Sequence, residues 1–247
     1  MPRVSPIIIA ASLLALTAGP AAAADRPALS ARVTACTTGV AEADRAAAFT
    51  GAMPSATGSR SMQMRFVLLQ RRGMTGTFKA LVVPDWGVWE SSEPGRPGFV
   101  FTQRIDSLLA PAAYKAAVYF RWLDRKGRVL RMVRRTTGAC EQPDLRPDLS
   151  FAALDAVPAK DGATYTVAVA NEGRSKAAPF TVTIAFDGTV QGTATLGPVD
   201  PGARVQGAIA APACTPGSTV TVTVDAAGAV DEVDERGNVV TRPCPLK

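Results

Sequence analysis

The sequence predicts an all-β protein built as two tandem β-sandwiches behind a cleaved leader. Three observations predict it. Short runs alternate apolar and polar residues with period two; clusters of Gly, Pro, Asn and Asp divide them; and helical periodicity is almost absent from the 247 residues. That length suits two domains, placed at 25–143 and 144–247.

The leader is read over residues 1–24. Arg3 supplies the positive end, Ile7 to Leu16 the short apolar core, and Ala22 to Ala24 a small-residue cleavage site before Asp25. Such a core is too short to remain in a bilayer as a helix, and no later stretch is long and apolar enough to span one. The expected location is secreted, extracellular or cell-surface associated, or periplasmic where the envelope has a periplasm.

The first domain opens with an alternating strand from Ala31 to Cys36. A Gly/Ser/Thr loop from Ser55 to Ser61 precedes a strong strand, Met62 to Gln70, with Met62, Met64, Phe66 and Leu68 on one face. Lys79 to Val83 reads as a short strand. Trp86 and Trp89 follow, in a segment closed by the turn from Glu93 to Gly98, and Phe99 to Ile105 is the next strand. Leu108 and Pro111 then lead to Tyr114, ahead of the strand Val118 to Trp122, the turn Asp124 to Gly127 and the strand Val129 to Thr136. A Tyr entering a penultimate strand in this way resembles the tyrosine corner of immunoglobulin-like and fibronectin type III-like sandwiches, which implies that its hydroxyl satisfies backbone at the sheet corner.

A hinge is expected over Glu141 to Asp148, because two prolines hold it extended. In the second domain Tyr165, Val167 and Val169 share a strand face that ends at an Asn171-x-Gly173 turn. Phe180, Val182, Ile184 and Phe186 alternate up to Asp187-Gly188, a hairpin signal. Thr189 to Leu196 and Ala203 to Ile209 complete the sheets before Cys214. The last hairpin pairs Ser218 to Val224, whose Val220, Val222 and Val224 point one way, with Val239 to Thr241, across an acidic loop.

That hairpin carries a family resemblance. Asp225, Val230, Glu232, Glu235 and Asn238 fall on the pattern V-D-x-x-x-x-V-x-E-x-x-E-x-N-N of the CARDB family, the cell-adhesion-related domain of bacterial surface and secreted proteins, with Gly237 replacing the first Asn. The resemblance spans residues 148–244, where Pro147 to Leu149 and the Asn171-x-Gly173 turn also match. It implies an immunoglobulin-like fold and a role in adhesion or in presenting partner modules, and it implies no catalytic residue and no cofactor.

Four cysteines in an exported chain allow three pairings. Domain placement favours Cys36 with Cys140 and Cys214 with Cys244, the first closing the front domain and the second clasping the open end of the last hairpin. Metal binding by the four is the weaker reading, since no CxxC spacing exists. Charge is divided unevenly: net +9 over 25–143 and −4 over 144–247. The absence of histidine removes Ser-His-Asp and Cys-His catalysis and histidine metal sites together.

The candidate ligand residues lie in the basic half: Arg121, Arg128, Arg131, Arg134, Trp86 and Trp89. Arg128 and Arg134 differ by an even number and are expected to share a sheet face fit for an acidic polymer. The two tryptophans serve as a sugar-stacking platform if exposed, or as core if buried. Nucleic acid is the least supported partner, because no base-stacking motif accompanies the arginines. In the acidic loop, Asp225, Asp231, Glu232, Asp234, Glu235 and Asn238 are oxygen donors that raise a calcium reading, but their spacing does not fit an EF-hand. The competing reading has Val230 and Val233 plugging the sandwich end while the carboxylates cap turns in solvent. A carboxylate pair for glycoside hydrolysis is poorly supported. The expected function is non-enzymatic binding or adhesion at the bacterial cell surface, to an acidic envelope polymer, glycan or surface protein. The alternative is a spacer or assembly subunit that pairs with other proteins through sheet edges.

Overall fold

The computed structural model describes residues 26–246, so the expected leader lies outside the described residues. The first sandwich comprises β1 (Ser30–Thr37), β2 (Ala46–Pro54), β3 (Ser61–Arg72), β4 (Lys79–Ala80), β5 (Trp89–Ser91), β6 (Gly98–Asp106), β7 (Ala112–Leu123), β8 (Val129–Thr136) and β9 (Cys140–Gln142). One antiparallel sheet runs β1-β2-β6 and the other β4-β3-β7-β8, with β5 also pairing β3 and β9 also pairing β7. The second sandwich comprises β10 (Leu149–Ala159), β11 (Gly162–Asn171), β12 (Phe180–Phe186), β13 (Thr189–Leu196), β14 (Arg204–Ala211), β15 (Thr219–Thr223) and β16 (Val239–Pro243). Its sheets run β10-β11-β14 and β13-β12-β15-β16. The two sandwiches thus repeat one strand order.

Alternation explains the strands that the sequence announces. Met62, Met64, Phe66 and Leu68 of β3 are buried, and so are Val118, Phe120 and Trp122 of β7 opposite them. Tyr165, Val167 and Val169 of β11 meet Phe180, Val182 and Ile184 of β12 in the second core. At Asp187 and Gly188 both φ angles are positive, 47° and 78°, as a tight two-residue hairpin turn requires.

Four strands go beyond the sequence expectation: β2 and β10, and the short β5 and β9. β2 is buried almost continuously rather than alternately, and its alanines carry little strand propensity. It is small for a reason: a Cβ added at Gly51 would lie 2.7 Å from the Met64 sulfur, so the sheets approach too closely for a side chain there. β10 fails the pattern differently, since after Leu149 much of it is exposed. Expected spans also change: β7, expected from Val118, begins at Ala112. The strand expected over Lys79 to Val83 is laddered at Lys79 and Ala80, with one more backbone bond from the Leu81 N–H to Leu68 before Pro84, and the expected hinge begins inside β9.

Tyr114 forms the expected corner. Its hydroxyl accepts from the Leu109 N–H at 3.0 Å and from the Gln70 amide at 2.9 Å. Both disulfides form as expected, Cys36–Cys140 and Cys214–Cys244, with Cα–Cα distances of 5.5 and 5.9 Å. The first joins β1 of one sheet to β9 of the other. Among the described residues no helix is long and apolar enough to cross a membrane.

Candidate functional site

The outer face of the β5-β3-β7-β8 sheet collects the basic side chains. Register decides which ones. Met64, Phe66, Phe120 and Trp122 point into the core, so the alternate residues Gln63, Arg65, Tyr119 and Arg121 point outward. Cross-strand partners share a face: Arg65 lies opposite Trp89 of β5 and Tyr119 of β7, and Tyr119 lies opposite Arg134 of β8. The result is a row of cations and rings across four strands, about 14 Å wide at ordinary strand spacing.

The guanidinium of Arg121 sits 3.8 Å from the centre of the Trp89 ring, and that of Arg65 sits 5.0 Å from it. Arg65 is also 4.8 Å from the Tyr119 ring, on whose other neighbour, Arg134, the distance is 5.8 Å. A second group lies further along the sheet, where Lys115 and Arg71 approach the Phe78 ring at 4.4 and 5.2 Å. Each such contact contributes about 0.5–1 kcal/mol at an exposed site and more when desolvated. These ring contacts hold the guanidinium groups on the face of the sheet, where their terminal N–H groups are the donors to offer. Arg71 pairs with Glu141 at 2.8 Å, whereas Arg65, Lys115, Arg121 and Arg134 have no ion pair among the described residues. The Arg121 Nε donates to the Gln63 side-chain amide oxygen Oε1. The buried Nε of Arg65 has no hydrogen-bond partner.

The candidate residues therefore divide. Arg121, Arg134 and Trp89 come together. Arg128 does not join them: it precedes β8 and pairs with Asp124 at 2.8 Å. A bulge explains the failed parity, since Arg131 lies opposite Trp122 while Val129 lies opposite Leu123, leaving Leu130 as the extra residue. Arg131, three residues before Arg134 on an unbroken register, falls on the core-facing side opposite Trp122, 5.3 Å from its ring. Trp86 leaves the expected platform altogether and packs edge-on against Phe49 of the core at 6.1 Å. With Arg121 over Trp89, the face offers charge more than open rings. Arg65, Tyr119, Lys115 and Phe78 were missed, although the outward parity of β3 and β7 would have found the first three.

The acidic loop behaves differently from its expected solvated form. Glu232, Asp225 and Asn238 are 2, 5 and 5% exposed. Asp225 accepts from the backbone N–H groups of Ala229 and Val230 at 3.0 and 2.8 Å. Glu232 accepts from the Leu149 N–H at the start of β10 and from the Asn238 amide, which also donates to Glu235 at 2.8 Å. Asp231 pairs with Arg146 at 2.6 Å and Asp234 with Arg236 at 2.7 Å. Val230 is buried as a plug, but Val233 is 41% exposed and is not one. Burial pushes the Glu232 carboxyl up, against the pull of its two donors. Hydrogen bonds from Arg236 hold Asp234 down at about 2. Each carboxylate of the calcium reading thus has a partner within the protein, whereas the buried amide oxygen of Asn238 has none among the described residues. Among the described residues no group of three or more Cys, Asp and Glu is placed to hold a metal ion.

Comparison with known proteins places the family resemblance. Residues 142–242 match the CARDB family model, the stretch that forms most of the second sandwich. No curated protein matches the chain. Among solved structures, a domain of a candidate cell surface protein from Methanosarcina acetivorans is 27% identical, covering 41% of this chain and 94% of that domain, with a TM-score of 0.37. Red sea bream transglutaminase is 11% identical, covering 88% of this chain and 31% of that one, at 0.30. A pre-assembly complex of a chaperone with the tip adhesion subunit of Acinetobacter baumannii Csu pili is 9% identical, covering 85% and 96%, at 0.26. None of these TM-scores reaches 0.5.

Proposed function

We propose that the protein, whose second sandwich carries the CARDB match, is an exported, non-enzymatic binding protein of the bacterial cell surface. Its first sandwich holds an acidic envelope polymer on the outer face of the β5-β3-β7-β8 sheet. The observation that carries this reading is the row of stacked guanidinium groups without ion-pair partners, Arg65, Arg121 and Arg134. Planar, pre-oriented guanidinium forks suit phosphate and carboxylate, and stacking reduces the side-chain entropy lost on binding. Two disulfides agree with an oxidising compartment outside the cytoplasm. The net charge of +9 over 25–143 adds long-range attraction to a polyanion.

The test is retention on an immobilised phosphate-rich envelope polymer across a salt series. Changing Arg65, Arg121 and Arg134 together to alanine is expected to weaken binding by about tenfold or more, which corresponds to about 1.4 kcal/mol or more. The wild-type affinity should also fall steeply with salt, as screening of exposed charge requires. Changing Arg125, Lys126 and Arg128, which lie on the adjoining turn, removes the same charge but spares the stack. If that variant loses as much as the first, diffuse charge rather than the stacked face holds the polymer.

A further inference from the structure

The basic sheet has a second surface, its free edge. β8 pairs with β7 on one side, and among the described residues no strand pairs with the other. Val129, Leu130 and Met132 on it are 47, 49 and 53% exposed. The other edge strands of the four sheets expose at most one large apolar side chain each. β8 also carries Arg131, Arg134 and Arg135 and no acidic residue.

The backbone phase of the edge follows from one bond. The Thr137 N–H donates to the Ala116 carbonyl at 3.0 Å. Antiparallel pairs alternate between those that exchange hydrogen bonds and those that do not. Counting back along the register, Arg135, Val133 and Arg131, opposite Val118, Phe120 and Trp122, turn their backbone groups to β7. Met132, Arg134 and Thr136 turn theirs outward. Three evenly spaced N–H and C=O sets therefore face solvent on a strand that is apolar as well as basic.

We propose that β8 is a strand-addition edge that takes an extended acidic segment of a partner protein. The outward backbone groups supply the ladder, the exposed apolar side chains supply contact for alternate residues of the added strand, and the arginines select its sign. A second copy of this chain is the wrong occupant, because pairing β8 with β8 sets arginines against arginines, and like charges across a ladder repel. β4 and β5, at the opposite edge, are two and three residues long and offer no comparable ladder.

The test uses the intact protein and a ten-residue peptide alternating Val and Glu, with a Val and Lys peptide as control. The acidic peptide is expected to bind about tenfold or more tightly than the basic one, and amide exchange at Met132, Arg134 and Thr136 should slow when it is bound. Met132→Pro removes an outward N–H and fills its place without breaking the bonds to β7, so it should abolish most of this affinity. Met132→Ala keeps the N–H and should lose only a few-fold. Binding that leaves the three amides unprotected overturns the proposal, as does unchanged affinity in Met132→Pro, no detectable binding, or a dimer through β8 in sedimentation. Should Met132→Pro lower the melting temperature, amide protection in the unaltered protein decides alone.

Discussion

Changing Cys36 and Cys140 together to alanine is expected to destabilise the first sandwich by about 3–4 kcal/mol, a little under the ~4.7 kcal/mol chain-entropy limit for a loop of this size. The two residues are separated by 104 positions, so the open chain regains a large loop entropy. The folded state also loses a tie between layers. β1 belongs to one sheet and β9 to the other, and β9 is held to β7 over only three residues. Cys140 is fully buried, and truncation leaves its place beside the Ala46 backbone unfilled. The measurement is urea unfolding followed by tryptophan fluorescence. All three tryptophans, Trp86, Trp89 and Trp122, lie in the first sandwich, so the signal reports on it directly. A shift in midpoint worth under about 1 kcal/mol would show that the sheets hold together without the covalent tie.

Glu232→Ala should cost the second sandwich about 2–3 kcal/mol, the range for removing the charged acceptor of buried donors. The Leu149 N–H would be left unpaired where β10 starts, and Asn238 would keep only Glu235. Glu232→Gln keeps an acceptor and should cost less. The pH dependence has a definite sign. Burial raises the folded-state Glu232 carboxyl above its ordinary 4.5, with the charges of Glu235 and Asp225 adding to the rise. The folded protein therefore binds this proton more tightly than the unfolded chain, and the group's contribution is complete below 4.5 and lost as pH rises through the folded value. Burial raises Asp148 in the same direction. Asp144 and Asp234 are lowered chiefly by hydrogen bonds from Arg146 and Arg236, so their contributions hold above 3.8 and fade as pH falls through their folded values. Unfolding of the second sandwich at pH 7, 5.5 and 4.5, followed by circular dichroism, should show a gain on mild acidification that Glu232→Gln reduces. Parallel curves for the two proteins would mean that Glu232 is not the group that titrates.

Legibility in the sequence followed the physics of each element. β3, β11 and β12 could be read because one face is buried and one is not, which prints a period of two. β2 could not, since close approach of the sheets at Gly51 demands small residues at positions that a pattern search treats as neutral. The disulfide pairing was legible because each pair closes one sandwich. The basic face was half legible. The run of arginines along β8 is local, but Arg65 meets Arg121 and Tyr119 only across a ladder joining residues more than fifty positions apart. The bulge at Leu130 then reversed the parity that local counting from Arg134 assigns to Arg128. In the acidic loop, composition shows six oxygen-donor side chains, but only the fold shows that Glu232 turns inward to meet β10.

The position of the two disulfides sets how the protein would carry a pulling force. Tension entering through β1 crosses directly from Cys36 to Cys140 and leaves by the linker, so the chain between them, a contour of roughly 350 Å, is withheld from extension. In the second sandwich the bridge from Cys214 to Cys244 shelters only the last hairpin. The stretch from Leu149 to Cys214 remains in the load path and can pay out roughly 220 Å when its sheets part. Pulled from its two ends, the molecule is a rigid head in series with a yielding spring.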